Sequence, residues 1–283
     1  MFYSVLSISV LIFLSVILLF SGDLMVFWLL LELCGLSVIP CFYNNNNIDS
    51  LINVDSLLYY LLALGISSSL ILVGIIFPDF FFFFFFGFFL KFGVFPFIFW
   101  VYQVFNGSKS WVVCWCISSV LKVSILYVCY FVSGYESEII ISLAGIGIIF
   151  CGLLIWVYNG NWFILWCHMM LASSNVIFCL SVVSSFLNLL VLYLVYFIWS
   201  SGVIYYLSSS SGSVFGYIVW LLAIPLSFAL YYKVYVSYLL IGLDLVFLLL
   251  WILYSFLEQF YLFKWMVSSI IPKNVWCNCN VLF

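Results

Sequence analysis

Charge is what this sequence has least of. Arginine is absent, histidine occurs once, and charged residues make up only 5% of the 283 positions. Soluble domains carry about 25% charged residues, so no water-facing surface can be built from this chain. A nucleotide-binding or hydrolytic face is excluded as well. No G-x-G-x-x-G, P-loop or Ser/His/Asp set stands in a usable context. Proline is scarce, with five residues, which leaves long stretches free of the strongest helix breaker. The first basic residue is Lys91, so the first third offers no loop charge from which membrane orientation could be read. The start, MFYSVLSISVLIFL, has neither the basic region of a secretory signal nor the Arg-rich pattern of a transit peptide. A retained first spanning helix is expected, as in a protein synthesised inside an organelle.

What is present is apolar. Hydrophobic residues make up 69%, aromatics 23%, and the mean hydropathy is +1.40. The solvent for such a chain is lipid, which admits only helices or closed barrels, because every backbone polar group must be satisfied internally. A spanning barrel strand alternates apolar and polar residues. Here the apolar runs are continuous over about 20 residues, the length of a spanning helix. The expected fold is all-α, a polytopic bundle of ten or eleven transmembrane helices forming one integral membrane domain over 1–283. Breaks at polar, Gly and Pro clusters place the spans near 2–21, 24–43, 52–77, 80–104, 111–132, 139–158, 162–183, 186–207, 214–234 and 237–257. The tail, about 258–283, is expected to lie in the interface or to form a short last helix.

The ten cysteines fall mostly inside apolar spans, where cysteine acts as a small hydrophobe. Cys114/Cys116 and Cys277/Cys279 are C-x-C pairs, not the C-x-x-C of common zinc sites, and no metal is expected. The Asn44–Asn47 tract reads as a polar loop, and the run Phe80–Phe86 as apolar filler shaped by codon supply. Gly93 and Pro96, close behind Lys91, predict a distorted helix.

An ionisable group at the bilayer centre costs about 2.5–3.5 kcal/mol even on the lenient insertion scale, so each such residue is a candidate for function. Asp23, Asp49, Asp55, Asp79, Lys109, Glu136, Glu138, Glu258, Lys264 and Lys273 fall at or near expected span ends and read as solvated or headgroup-level charges. Glu32, Lys91, Lys122, Lys233 and Asp244 fall inside spans, and His168 lies near the end of one. Desolvation favours a neutral amine and a nearby carboxylate favours an ammonium, so a lysine poised between the two can take up and release protons. The bland alternative is a salt bridge that pins helices, and burying such a pair is weak evidence for stability.

The stretch KFGVFPFIFWVYQVFNGS, Lys91 to Ser108, resembles the K-x-G-x-x-P-F-H-F-W-x-P-x-V-x-x-G signature of the antiporter-like membrane subunits of respiratory complex I. It departs at Ile98, where that signature has histidine, and at Tyr102, where it has proline. WLLLELCGLSVIP resembles the family's glutamate helix and places Glu32 on its glutamate. Lys122 falls on the next helix's lysine. CHMMLASSN resembles the R-K-x-L-A-Y-S-S segment, with His168 at its lysine and Ser173-Ser174 at its serines. IPLSFALYYK resembles L-P-P-L-x-G-F-x-x-K, ending on Lys233. The likeness runs in order over roughly 24–245.

The resemblance implies an antiporter-like fold of two inverted five-helix repeats with broken helices, in a form shortened at its N-terminus. It implies a proton-translocating role that couples NADH:ubiquinone electron transfer to pumping. The relay would run through Glu32, Lys91, Lys122 and Lys233, with His168 a further member and Glu32 paired to Lys91. No cofactor is implied on this chain; FMN, iron–sulfur clusters, NADH and ubiquinone would be handled by other subunits. Implied partners are the antiporter-like chain 4, the small chains 4L, 6 and 3, supernumerary subunits, and lipids such as cardiolipin, with no nucleic acid. The implied location is the mitochondrial inner membrane. A free-standing cation/proton antiporter and a non-transporting scaffold subunit are the alternatives.

Overall fold

The computed structural model describes residues 2–43, 50–77, 79, 82–132, 137–158, 161–209 and 214–270. The Asn44–Asn47 tract, Glu136 and Cys277/Cys279 lie outside the described residues. All regular structure among these residues is helical. Phe, Val and Ile, so common here, are mediocre helix formers in water. In lipid the backbone has no other partner than itself, and the helix follows from that constraint rather than from propensity.

The chain begins with α1 (Phe2–Leu19), then α2 (Leu24–Ser37) and the short α3 (Ile39–Phe42), which together form one bent element. α4 (Ser50–Ile76) is followed by α5 (Phe82–Phe92) and α6 (Phe99–Ser108). α7 (Trp111–Trp115) runs through a π-turn (Cys116–Val120) and a 3-10 turn (Leu121–Ser124) into α8 (Ile125–Val132). Then come α9 (Ser137–Val157), α10 (Trp162–Val183) and α11 (Phe186–Ser208). The last part is α12 (Val214–Trp220), α13 (Phe228–Ile241) and α14 (Leu245–Ile270). Among the described residues, seven helices are long and apolar enough to cross a membrane, and α1, α5 and α13 contribute shorter apolar segments.

α10 is the axis of the bundle. Nearly every side chain from Ile164 to Ser181 is buried, and its neighbours are α6, α8, α9, α11 and α13. The outer helices instead present large apolar side chains outward, among them Phe13, Leu187, Phe215 and Val246, all more than 60% exposed. So continuous an apolar exterior is incompatible with water and fits lipid.

α4 and α5 cross so closely that side chains are excluded at the contact. A Cβ on Gly87 would stand 2.9 Å from the backbone of both Ile71 and Ser67, and one on Gly74 would stand 2.6 Å from the Phe84 nitrogen. Small residues at the crossing are the usual device for close helix approach in membranes.

Two expectations for the last third are corrected. The spans expected at 214–234 and 237–257 are, in the structure, a broken element (α12 and α13) followed by the full-length α14. The sequence Pro225-Leu226-Ser227 interrupts the first, with Leu226 at φ +72° and Ser227 accepting a hydrogen bond from the Leu230 amide to start α13. Gly242-Leu243-Asp244 then turns the chain. Asp244 is therefore not inside a span: it is exposed at the start of α14, its Oδ1 accepting from the Val246 amide at 3.1 Å. The second correction follows. Residues 258–270 are no tail but the second half of α14, and Glu258 lies mid-helix, 2% exposed.

Candidate functional site

The interior holds its ionisable groups at four places, each beside an interruption in a helix or next to the axial α10. Lys91 stands in the last turn of α5. That helix ends in a Schellman cap: the Val94 amide donates to the Phe89 carbonyl at 2.8 Å and the Gly93 amide to the Leu90 carbonyl at 3.3 Å. Gly93, at φ +67°, supplies the left-handed residue that this cap needs. Trp100 of α6 closes the break by donating from Nε1 to the Leu90 carbonyl at 2.8 Å. A lysine at this position also suits the negative end of the helix dipole.

The Lys91 ammonium donates to the Leu31 carbonyl of α2 at 3.3 Å. The Glu32–Lys91 ion pair implied by the resemblance is not formed here. Glu32 remains close enough to act on Lys91 through space, and its Oε2 is buried without a hydrogen-bond partner. A void of about 10 Å3 separates Lys91 and Leu31 from Leu121 and Ser124 of the 3-10 turn, room for about one water molecule.

Lys122 sits at the second place, 1% exposed. Its ammonium donates to the Tyr196 hydroxyl at 2.9 Å, to the Ser173 hydroxyl at 3.1 Å and to the Met170 carbonyl at 3.1 Å, which uses all its donors. The π-turn just before it disrupts the regular pairing of carbonyls, a feature found often at functional sites. α11 meets two of those carbonyls: Tyr196 donates to Ser118 at 2.8 Å and Tyr193 to Ser119 at 3.0 Å. The Lys122 ammonium also lies 4.4 Å from the Tyr196 ring centre, within cation–π range.

The third place joins α13 to α14. Lys233 Nζ and Glu258 Oε1 are 3.1 Å apart, the one ion pair among the described residues. Both groups are buried, yet the two are not aligned as a hydrogen bond, and the hydroxyls of Tyr232 and Tyr254 beside them are buried without hydrogen-bond partners as well. The break between α12 and α13 is held open by neighbours. Gln259 Oε1 accepts from the Ala223 amide at 2.8 Å, and Trp199 Nε1 donates to the Trp220 carbonyl at 2.9 Å.

His168 is the fourth, fully buried near the start of α10. Its Nε2 is 3.0 Å from the Tyr158 carbonyl, and its Nδ1 is 2.6 Å from the Tyr102 hydroxyl. A carbonyl can only accept, so Nε2 carries a hydrogen, and in the neutral ring the tyrosine donates to Nδ1. Tyr102 thus has a function at the position where the signature carries proline. His168 shares α10 with Met170 and Ser173, the partners of Lys122.

The structure therefore places Lys122, Lys233 and His168 in the interior and leaves Lys91 and Glu32 half-buried. Sequence reasoning missed Glu258. The signal was there: once Gly242-Leu243-Asp244 is read as a turn with an Asp cap, the next apolar run extends to Ile270 and puts Glu258 at its middle. It also missed the tyrosines Tyr102, Tyr196, Tyr232 and Tyr254, which a chain with 20 tyrosines gives no means of singling out. The cysteines behave as expected where described: Cys34, Cys41, Cys114, Cys116, Cys151, Cys167 and Cys179 are buried thiols.

Fold and site together define a class, an all-helical membrane protein with ionisable groups buried along its interior. Beyond that class, no protein-family model matches the sequence, and no curated protein matches it.

Proposed function

We propose that this chain is a proton-translocating, antiporter-like subunit of chain 2 type in the membrane arm of respiratory complex I, working in the mitochondrial inner membrane. The observation that carries the reading is the placement of Lys91, Lys122 and Lys233. Each is a buried or half-buried lysine beside an irregular turn: the α5–α6 break, the π-turn and the α12–α13 break. Broken helices with charged residues are how transporters position ion sites near the midplane, and interior charge is too costly to keep without a use. The two breaks would be the corresponding positions of the inverted repeats.

In this account, NADH oxidation and ubiquinone reduction occur on other subunits and shift the electrostatic balance at Glu32 and Lys91. A proton leaves the Lys91 ammonium, the Lys122 ammonium passes on one of its own and is recharged by the incoming one, and the displacement continues toward Lys233. Glu32 acts on Lys91 through space, so a small movement of α2 is enough to strengthen or weaken that influence. The Tyr196 hydroxyl, bonded to Lys122, is the first proton-carrying group on the route to α13.

Two experiments test the reading. On a native gel of gently solubilised membranes, the chain should migrate with a complex many times its own 32.7 kDa; migration alone would favour a free-standing antiporter. With Lys91→Ala, assembly should persist while NADH-driven proton pumping falls severalfold. Unchanged pumping would remove the proposed role.

A further inference from the structure

The carboxylate of Glu258 plays no part in the relay described above, yet its surroundings are those of a proton carrier. Tyr254 and Glu258 lie four residues apart on one face of α14 and meet Tyr232 and Lys233 of α13. Four polar atoms, Tyr232 OH, Lys233 Nζ, Tyr254 OH and Glu258 Oε1, are buried there, and apart from the Lys233–Glu258 ion pair none has a well-aligned hydrogen bond. Buried polar groups are almost always satisfied by protein or water. An ion pair at 3.1 Å without hydrogen-bond alignment leaves ammonium hydrogens and carboxylate lone pairs unused, an expensive arrangement for a part that only pins two helices.

Space for water adjoins the cluster. A cavity of about 410 Å3 opens between α13 and α14; Lys233 lines it with Ser237, Ser255 and Gln259 among mostly apolar side chains, and Glu258 stands behind Lys233 rather than on its wall. A water molecule takes about 30 Å3 and needs two to four polar partners, and the hydroxyls, the amide and the ammonium provide them. On the inner side, the Tyr232 ring centre is 5.6 Å from that of Tyr196, whose hydroxyl holds Lys122 at 2.9 Å.

We propose that Glu258 is the proton acceptor at the Lys233 end of the chain, and that its proton leaves toward the α13–α14 cavity that Lys233 lines. This rests on the proton-translocation reading. The step is a plain proton transfer. An N–H bond of the Lys233 ammonium breaks and an O–H bond forms on Glu258, directly or through one water, turning an ion pair into a neutral pair. A proton delivered from the Lys122 side recharges Lys233, and Glu258 gives its own proton to a water that reaches it past Lys233.

The test uses the assembled complex in sealed vesicles. Glu258→Gln keeps the shape but cannot accept a proton, and pumping should fall by about tenfold or more, in line with loss of a positioned acid–base group. Glu258→Asp should recover part of it. A carboxyl band in redox-induced infrared difference spectra should be present in the unaltered protein and absent in Glu258→Gln. Should the glutamine variant fail to assemble, the double variant Lys233→Met/Glu258→Met keeps α13 and α14 packed without charge. Assembly of the double variant with normal pumping overturns the role; because Lys233 is lost as well, support for Glu258 comes from the carboxyl band and the partial recovery in Glu258→Asp. Lys91→Ala run alongside separates the two claims. If it abolishes pumping while the double variant pumps normally, only the Glu258 assignment falls; if both pump normally, the translocation reading falls too.

Discussion

At the scale of single residues, the interior side chains differ in how completely they are satisfied, and that difference sorts their roles. Lys122 has a partner for every ammonium hydrogen, so it is held in one place. Lys91 has one carbonyl at 3.3 Å and a water-sized void next to it, so it has room to move. Tyr196 is the most consequential tyrosine because it serves both Lys122 and the Ser118 carbonyl. Tyr196→Phe leaves two buried groups short of a partner and should cost ~1–3 kcal/mol of stability, seen as a lowered unfolding temperature in detergent. Tyr102→Phe removes the hydrogen bond to His168 Nδ1 and should cost ~1 kcal/mol by the same assay. Glu32, Lys91, Lys122 and Lys233 were legible in the sequence because charge is conspicuous in apolar runs. Their hydroxyl partners were not, because Tyr and Ser are everywhere in this chain and only the fold selects among them.

At the scale of helices, the interruptions matter more than the regular turns. The α5–α6 break depends on Gly93, where a Cβ would meet Val101 at 2.7 Å and Leu171 at 2.9 Å. Gly93→Ala combines that crowding with a left-handed backbone and should destabilise by ~1–3 kcal/mol, with reduced accumulation of folded protein in the membrane as the readout. Gln259→Leu removes the acceptor from the Ala223 amide at the α12–α13 break and should cost ~1–3 kcal/mol, while leaving the α5–α6 half intact in proteolysis assays. The first of these breaks was foreseeable from Gly93 and Pro96. The second is implied by the resemblance, which puts a broken helix beside Pro225 and Lys233, but hydropathy blurs it by running 214–234 together as one span. That shift carried α14 out of register, moved Asp244 into a span and pushed Glu258 out of one. Helix ends in this chain are set by a few capping residues, not by changes in hydropathy, and so they are harder to place than the helices themselves.

At the scale of the whole molecule, α10 divides two halves, each containing a broken element with a lysine: α5–α6 with Lys91 and α12–α13 with Lys233. Lys122 lies between them against α10 and α11. Composition alone foretold an all-helical membrane protein, since lipid leaves the backbone few choices. How helices bring distant charges together was not visible, because a pair such as Lys233 and Glu258 depends on the turn at Gly242 and on the packing of α13 against α14. The account claims that these interior charges exist to move protons when electrons flow elsewhere in the complex. The most direct measurement is the ratio of protons pumped to NADH oxidised, taken on the assembled complex in sealed vesicles for the unaltered chain and for Lys91→Ala. The account predicts that the ratio falls while the complex stays assembled. An unchanged ratio, at equal assembly, would contradict it.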